Sequence, residues 1–417
     1  MRIVRLLPLI IASMTLASCA TAPVDNARPG ERPAIESDEA GLWQMLERDE
    51  YKLQTSSGVI RDPGLQGYLE IVLCRVTPDY CGDIRVYVIP SYSLNASMAP
   101  NGMMLVFTGL LLRLENEAQL AAVLGHEVAH YARRHSLQQW RSLRAKTAAL
   151  QTVSAVVSAG TRVAVMSAQS AAASGDYVKA LNRYDVARGI ANTGSAVLDS
   201  LELYAVLSQL AFSRDQESES DALGAAWMGE AGYDPAAFAD IWSYMQIEHA
   251  LARRSVPDML RTHPSPRDRE RMARAYSQRL LEGTPDADEE SALRYQRVIG
   301  PFRNAWLHHA RQGLTPELEM ALIDRQREVG APDGLISFHE ADMYRKRNDV
   351  GDGERVLAAL EKAVNGPGCP AEAHREYGLA LWEAGMNDAA RRAFEAYLEA
   401  EPDAVDLAMV RSYLEEL

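Results

Sequence analysis

Two histidines four residues apart, with a glutamate directly after the first, are the residues of this 417-residue chain best suited to catalysis. They are His126, Glu127 and His130, in the segment HEVAH. Side chains four residues apart on a helix leave the same face, so two imidazoles can bind one tetrahedral Zn²⁺. A glutamate beside them can hold and deprotonate an attacking water. The spacing therefore predicts one zinc ion per chain with Glu127 as general base; the alternative is two histidines on a solvated helix face.

A catalytic zinc site takes a third protein ligand and keeps its fourth position open. The extended motif HExxHxxGxxH does not supply that ligand, because Arg133 and Ser136 occupy the required positions. The acidic segment 213–221 places Glu217 and Asp221 four residues apart on one helical face. Glu217 is the candidate third ligand, and Asp221 the candidate acceptor for the free N–H of a metal-binding histidine. The alternative for this segment is an acidic, solvated helix face.

The surrounding segments predict the elements that position these residues. Apolar residues recur at helical spacing through residues 115–135, so HEVAH lies on an amphipathic helix. Residues 84–89 and 103–107 are predicted to be short strands. Residues 146–211 have a helical pattern and are predicted to be packing helices that return the chain to Glu217, with a lid over the site as the alternative. The predicted fold class is α+β, predominantly α, with a small sheet.

Four motifs in this order resemble those of the HtpX and CaaX-prenyl-protease family of zinc metallopeptidases. They are Asn95-Ala96 with Pro100-Asn101-Gly102, HEVAH, Arg214 with Glu217 and Asp221, and the segment THPSP at 262–266 with Arg269. Ser220 stands where the family usually has Ala. The resemblance covers about residues 41–280 and is strongest to the periplasmic BepA-type branch.

The resemblance implies a gluzincin metallopeptidase domain. In it His126, His130 and Glu217 would bind zinc, Glu127 would be catalytic, and Asp221 and Arg214 would lie around the ligands. In gluzincins an edge strand beside the zinc helix binds the substrate backbone by β-augmentation. The candidate is the 103–107 strand, with a core strand as the alternative. The corresponding substrate-binding residues would be Asn95, Ala96, Met103, Met104 and Arg269.

His263, in the THPSP motif, has three candidate roles. As a donor it can stabilise the oxyanion of the reaction. As a fourth zinc ligand it can close the site and hold an enzyme latent. The third alternative is a structural histidine next to Pro264. The resemblance implies the reversible block, and Arg269 would then pair with a carboxylate or with substrate.

The N-terminus predicts export and lipid anchoring. Residues 1–18 combine a basic start with a short apolar run, which is typical of a secretory signal peptide and too short to span a bilayer. The segment LASC ends at Cys19 and resembles the bacterial lipobox, so Cys19 is the predicted lipidation site. Ala20, and not Asp, follows Cys19, which fits sorting of a bacterial lipoprotein to the inner leaflet of the outer membrane. Residues 19–40 are predicted to be a flexible tether. The alternative is an ordinary signal peptide with an incidental cysteine.

Composition narrows the class of protein. The formal charge is −14, and no basic cluster offsets it, which argues against a nucleic-acid partner. After the N-terminal segment, no stretch carries 18 uninterrupted apolar residues, so the body is not expected to span a membrane. Cys74 and Cys81 are predicted either to pair in an oxidising periplasm or to be buried thiols, and Cys369 would remain unpaired.

The C-terminal part has a different character. A 34-residue offset aligns Leu360 with Phe394 and Val356 with Ala390, which is the period of tetratricopeptide repeats. Stacked repeats form concave surfaces that bind peptides and proteins. We therefore predict a metallopeptidase domain at 41–285 and an α-helical repeat domain at 286–417, with ordinary helical hairpins as the alternative.

Together these features predict a zinc-dependent endopeptidase of the bacterial periplasm. The resemblance implies quality control of misfolded or misassembled outer-membrane proteins, with the repeats binding those proteins or their assembly machinery. A protein of another class would be a chaperone-like or scaffold lipoprotein with a structural or inactive zinc site. Glu127 favours the enzyme, because a structural zinc site has no use for a base there.

Overall fold

Helices make up most of the computed structural model, which describes residues 24–145, 212–252, 263, 269–275 and 288–417. Up to residue 145 the elements are α1 (Asp38–Thr55), α2 (Pro63–Val76), β1 (Arg85–Ile89), β2 (Ala96–Met98), β3 (Met103–Phe107), the single turn α3 (Thr108–Leu111), α4 (Glu117–Ala132) and α5 (135–145). The predicted signal peptide, Cys19 and the 146–211 segment lie outside the described residues.

Among the described residues from 212 onward, all the regular elements are helical. They are α6 (Arg214–Glu230), α7 (Ala237–Leu251), α8 (269–275), α9 (Asp288–Ile299), α10 (Arg303–Arg311), α11 (Pro316–Glu328), α12 (Asp333–Arg347), α13 (Asp352–Asn365), α14 (Glu372–Glu383), α15 (Asn387–Ala400) and α16 (Leu407–Glu416). The predominantly α class with one small sheet therefore agrees with the structure.

The sheet has three strands in the order β1-β3-β2. β1 pairs with β3 in parallel, Arg85 opposite Met103, and β2 pairs with β3 antiparallel, Ala96 opposite Val106. All five residues of β3 are buried, as expected for a strand covered on both faces. The prediction that 103–107 is an edge strand is therefore wrong, because neighbours on both sides use its backbone groups. β2 is the outer strand that lies against α4.

Helix α4 runs through the middle of the main core, and every one of its residues is buried. Its N-cap is Asn116, whose side chain accepts from the Gln119 N–H at 2.8 Å. Helix α6 begins with a capping box between Ser213 and Gln216 and packs on α4. The two helices cross at Gly224, where an added Cβ would lie 3.1 Å from the backbone nitrogen of His126. The crossing therefore brings α6 against the HEVAH segment.

The segment 24–37, predicted to belong to a flexible tether, is instead held against the end of α4. The Ala27 N–H donates to the Ala132 carbonyl at 2.8 Å, and the Ala27 carbonyl accepts from the Tyr80 hydroxyl at 3.0 Å. Glu31 pairs with Arg134 at 2.9 Å. The tether prediction fails for these residues because the charged and proline-containing sequence supplies specific contacts to the body.

Helices α9 and α10 belong to the main core. They contribute Tyr295, Ile299, Trp306 and Leu307 to it. The sequence-predicted boundary between 285 and 286 therefore does not coincide with a break between cores. From α12 onward, consecutive helices pack on one another around smaller cores of their own.

One close contact in this region joins the two helices of a hairpin. A Cβ added at Gly378 on α14 would lie 2.6 Å from the ring of Phe394 on α15. Phe394 is fully buried, so glycine lets the two helices of this hairpin approach.

Cys74 and Cys81 form a disulfide that joins the last turn of α2 to the following 3₁₀ turn, with a Cα–Cα distance of 4.8 Å. Of the two alternatives for this pair, the structure contains the disulfide, and Cys369 is free. Among the residues described, no helix combines the length and apolar character needed to cross a membrane.

Candidate metal centre

Three parts of the chain bring four metal-binding side chains together. Helix α4 supplies His126 and His130, α6 supplies Glu217, and His263 comes from the THPSP motif. All four are buried, and one candidate ligand atom from each lies within 4.8 Å of the others. Among the residues the structure describes, this is the group of His, Cys, Asp and Glu that can hold a metal ion.

The distances between the donor atoms fit a tetrahedral ion. His126 Nε2 lies 3.0 Å from His130 Nε2 and 3.3 Å from His263 Nδ1. Glu217 Oε1 lies 2.9 Å from His263 Nδ1 and 3.6 Å from His130 Nε2. Ligand atoms at about 2.0–2.1 Å from a tetrahedral metal are about 3.3 Å apart. The measured separations bracket that value, so the four residues fit a bound metal ion.

His263 occupies the position that an open catalytic site would leave free. The predicted three-ligand set was His126, His130 and Glu217, and Nδ1 of His263 completes a set of four. Four protein ligands around a tetrahedral metal leave no place for water or substrate. Of the three candidate roles of His263, this geometry corresponds to the fourth ligand.

Glu127 lies beside this cluster and is 1% exposed. Its Oε1 is 3.6 Å from His263 Nε2 and has no hydrogen-bond partner among the described residues. A buried carboxylate oxygen without a partner is costly, and such groups concentrate at functional sites. The position suits a group that takes a proton from an incoming water.

Asp221 orients the first histidine. Its Oδ1 lies 3.0 Å from His126 Nδ1, so the imidazole proton sits on Nδ1 and the Nε2 lone pair faces the cluster. Burial opposes ionisation of Asp221, but the Arg269 guanidinium holds the pKa of its carboxyl well below the usual range. Asp221 is therefore an anion in contact with Nδ1 of His126. Its role toward a metal-binding histidine stays a prediction.

Arg269 is fully buried and pairs with carboxylates, which is one of its two predicted alternatives. It donates to Asp221 through Nε at 2.6 Å and through Nη2 at 2.5 Å. Its Nη1 also contacts Glu217 as an ion pair without the alignment of a hydrogen bond. The guanidinium lies 3.6 Å from the ring centre of Trp242, which sequence reasoning did not include in the site.

Protonation of the other two histidines also depends on burial. Burial, followed by the neighbouring histidines, lowers the pKa of His130 well below its usual value, so its imidazole is neutral. Burial alone would lower the pKa of His263, but the Glu217 and Glu127 carboxylates raise it. Metal binding needs neutral imidazoles, and the centre meets that requirement at His130.

Two groups of predicted site residues lie elsewhere. Arg214 is exposed in the first turn of α6, so its predicted position around the ligands is wrong, and Arg269 takes that place instead. Met103 and Met104 are buried in the central strand and present no free edge to a substrate. Asn95 and Ala96 remain candidates, since they lie at the start of the outer strand β2.

Sequence reasoning also missed residues that contact His130. The Phe212 ring stacks on its imidazole with ring centres 3.9 Å apart. His135 Nδ1 lies 3.0 Å from His130 Nδ1, and Ser220 Oγ lies 3.3 Å from the same atom of His135. The spacing from His130 to His135 does not place them on one helical face, so helical periodicity gave no indication of this contact.

The chain is similar to known peptidases. Residues 77–277 match Peptidase family M48. A putative beta-barrel assembly-enhancing protease of Vibrio cholerae is 27% identical over 221 residues, which are 52% of this chain and 40% of that protein. The beta-barrel assembly-enhancing protease of Escherichia coli is 22% identical over 343 residues, 80% of this chain and 64% of that protein.

A mitochondrial relative extends the range of similar proteins. The mitochondrial metalloendopeptidase OMA1 of Schizosaccharomyces pombe is 32% identical over 190 residues, 44% of each chain. The chain spans less than two thirds of the length of each of these relatives. The family match, the named relatives and the buried centre together support a metalloendopeptidase.

Proposed function

We propose that this chain, whose residues 77–277 match Peptidase family M48, is a zinc-dependent endopeptidase of the bacterial cell envelope. One observation carries the proposal. The buried group His126, His130 and Glu217 lies next to Glu127, a buried carboxylate with an unpartnered oxygen. Three imidazoles and one carboxylate, counting His263, form a donor set that zinc favours.

Each residue of the centre would have its own role in peptide hydrolysis. A zinc ion held by His126, His130 and Glu217 would supply a Lewis acid for the scissile carbonyl and the attacking water. Glu127 takes the proton of that water through its free oxygen and returns it to the leaving amine. Asp221 keeps the imidazole of His126 in the tautomer that leaves Nε2 free.

His263 would keep the enzyme latent. Its Nδ1 is in the ligand position, and its Nε2 faces Glu127 at 3.6 Å. Both the fourth ligand position and the space beside the base are therefore taken by one imidazole. Cleavage would require His263 to leave, after which water and the scissile carbonyl can enter.

The names of the relatives and the N-terminal sequence support a proposal for the location and the substrates. Two relatives are named for β-barrel assembly, so we propose that this chain cleaves misfolded or misassembled outer-membrane proteins, or components of their assembly machinery. Helices α12–α16 would act as tetratricopeptide-like repeats that hold those proteins. Lipidation at Cys19 would anchor the chain to the inner leaflet of the outer membrane.

The closed set of four ligands favours a second candidate function. A chaperone-like or scaffold lipoprotein would use the same residues as a structural zinc site, and its helices would bind envelope proteins without cleaving them. Glu127 separates the two functions, because a structural site does not need a buried, unpartnered base.

Zinc content and casein cleavage of the full chain, purified in detergent, test the proposed enzyme. The wild type and Glu127→Gln are both expected to hold one zinc per chain, because Glu127 is not a ligand. Cleavage by Glu127→Gln should fall by about 10²- to 10⁴-fold, the usual contribution of a general base. The exposed carboxylate Glu70 on α2 gives the control, Glu70→Gln, with wild-type cleavage expected. Equal cleavage by wild type and Glu127→Gln, at a rate above that of the zinc-free chain, would overturn the proposal.

A further inference from the structure

The imidazole of His130 has a polar neighbour on the side away from the other ligands. His130 Nδ1 lies 3.0 Å from Nδ1 of His135, which is 1% exposed. The other ring nitrogen of His135, Nε2, lies 3.4 Å from Glu219 Oε2. Glu219 is half-exposed on α6 and also pairs with Arg133 at 2.8 Å. A row of side chains therefore runs from His130 through His135 to a surface carboxylate.

The chemistry of a neutral imidazole fixes which nitrogen donates and which accepts in the hydrogen bonds along this row. Since Nε2 of His130 faces the metal centre, the single ring proton must sit on Nδ1, and that N–H needs an acceptor. Nδ1 of His135 is at hydrogen-bond distance and can accept it only as an unprotonated nitrogen. The proton of His135 is then on Nε2, where it faces the Glu219 carboxylate.

The turn between α4 and α5 brings His135 into contact with His130. Helix α4 ends at Ala132, and Arg134 has a left-handed φ of 54°, which is unusual for a residue other than glycine. Arg134 is held in place by Glu31 at 2.9 Å and by Glu39 at 3.1 Å. Because of this turn, α5 begins at His135 and directs its imidazole back to His130.

We propose that His135 is a positioning residue for the metal ligand His130, an inference that rests on the metal site of the proposed function. Helix α6 would then serve both histidines of HEVAH. Asp221 contacts His126 directly, whereas Glu219 acts on His130 through His135. Ser220, between these two carboxylates, offers its hydroxyl to the same nitrogen of His135 at 3.3 Å, so it competes with His130 for one lone pair.

Zinc affinity of the full chain, measured by competition with a fluorescent zinc chelator, tests this role without using activity. His135→Phe keeps the ring volume but removes the acceptor, and we expect zinc binding to weaken by about 10- to 100-fold. His135→Gln retains an acceptor and should bind zinc more tightly than His135→Phe. With cobalt in place of zinc, the visible absorption bands of His135→Phe should shift, since the His130 ring would no longer be fixed.

Three further variants separate positioning from packing. Glu219→Gln on the helix surface should weaken zinc binding by less than about 10-fold, because an amide still accepts from His135. Ser220→Ala removes the competing donor, so its affinity should stay within about twofold of wild type or increase. His339→Phe is the control, since His339 is a buried histidine of α12 that pairs with Asn304 at 2.9 Å, away from the centre.

The outcomes distinguish this inference from the function on which it rests. If the wild type binds zinc tightly and folded His135→Phe binds it equally well with an unchanged cobalt spectrum, the positioning role is wrong. Equal losses in His135→Phe and His135→Gln, with no change in Glu219→Gln, would also contradict it, because packing alone explains that pattern. If the wild type itself binds no zinc, the result contradicts the proposed function and not only the role of His135.

Discussion

At the scale of single residues, the metal centre buries several charged side chains, and each of them needs a partner to offset the cost of leaving water. Glu127, Glu217 and Asp221 place three carboxyl groups in the core, and Arg269 is the guanidinium that contacts two of them. Taking charged groups out of water is expensive unless each is paired. When no metal is bound, Arg269 is therefore the main compensation for Asp221, and it shares this role with His263 at Glu217.

Replacing Arg269 with alanine should destabilise the metal-free chain. The substitution removes the guanidinium that contacts both Asp221 and Glu217, and removing one partner of a buried ion pair costs about 3–5 kcal/mol. Chemical denaturation in the presence of a chelator measures the free energy of unfolding. The control is Arg274→Ala on the same helix, where a half-exposed pair with Glu270 is expected to contribute at most about 1 kcal/mol. Equal losses in the two variants would contradict this account of Arg269.

Two pairs of residues in the centre were identified from a spacing that helix geometry fixes, whereas His263 was identified from a motif. His126 and His130, and Glu217 and Asp221, are each four residues apart on α4 and α6, so each pair shares a face. Arg214 and Arg269 both stood in motifs, but spacing along the chain does not tell which guanidinium reaches Asp221. His135 was missed because its contact depends on the left-handed turn at Arg134, which no periodicity predicts.

At the scale of elements, the centre depends on how closely α4 and α6 approach. A Cβ at Gly224 would lie 3.1 Å from the backbone nitrogen of His126 and 3.2 Å from the carbonyl carbon of Gly125. Both neighbours are main-chain atoms of a buried helix, so they cannot move aside as a flexible side chain can. The distance between the helices therefore sets where Glu217 meets the two histidines.

Gly224→Ala should separate the two helices. Overpacking of a close core contact costs about 1–3 kcal/mol, so we expect a lower free energy of unfolding together with weaker zinc binding. The matched control is Gly67→Ala on α2, where an added Cβ meets nothing within 4 Å. An unstrained helical Gly→Ala substitution should stabilise by about 0.5–1 kcal/mol. If both variants gained stability equally, the close approach at Gly224 would not constrain the centre.

The order of the strands was not predictable from the sequence in the same way as the helices. Apolar content and length predicted the strands near 84–89 and 103–107. Their order could not be predicted in this way, because pairing partners lie in different parts of the chain. The unbroken run of five apolar residues in β3 is typical of a strand covered on both faces, and it favours the central position found. β2, only three residues long, is too short to give a strong pattern.

At the scale of the whole molecule, the first helices of the predicted repeat domain pack into the core of the predicted metallopeptidase domain. The Tyr295 hydroxyl donates to the Leu111 carbonyl at 2.6 Å, and Arg325 Nε donates to the Arg113 carbonyl at 2.9 Å. Helical periodicity locates α9–α11, but it does not say which core buries their apolar faces. For this reason the sequence-predicted boundary at 285 fell inside a packed unit.

Truncation tests this shared core. A fragment of residues 24–285 would uncover the surface that α9 and α10 bury, and large exposed apolar surfaces promote aggregation. A fragment of residues 24–330 keeps the three helices α9–α11 and gives the matched comparison. Size-exclusion chromatography should show a monomer for 24–330 and a low soluble yield with aggregates for 24–285. Equal soluble yields of monomer would show that the main core does not need α9–α11 in order to fold.

We propose that His263 holds the metal centre of a protease closed, and the rate of casein cleavage tests this proposal. Initial rates of fluorescent casein cleavage are compared for wild type, His263→Ala and the double variant His263→Ala/Glu127→Gln, with zinc content measured for each. We expect His263→Ala to cleave faster than wild type, because the fourth ligand position becomes free, and the double variant to lose that gain. If all three are inert while each holds one zinc per chain, the centre is structural, and the scaffold function would explain the molecule better.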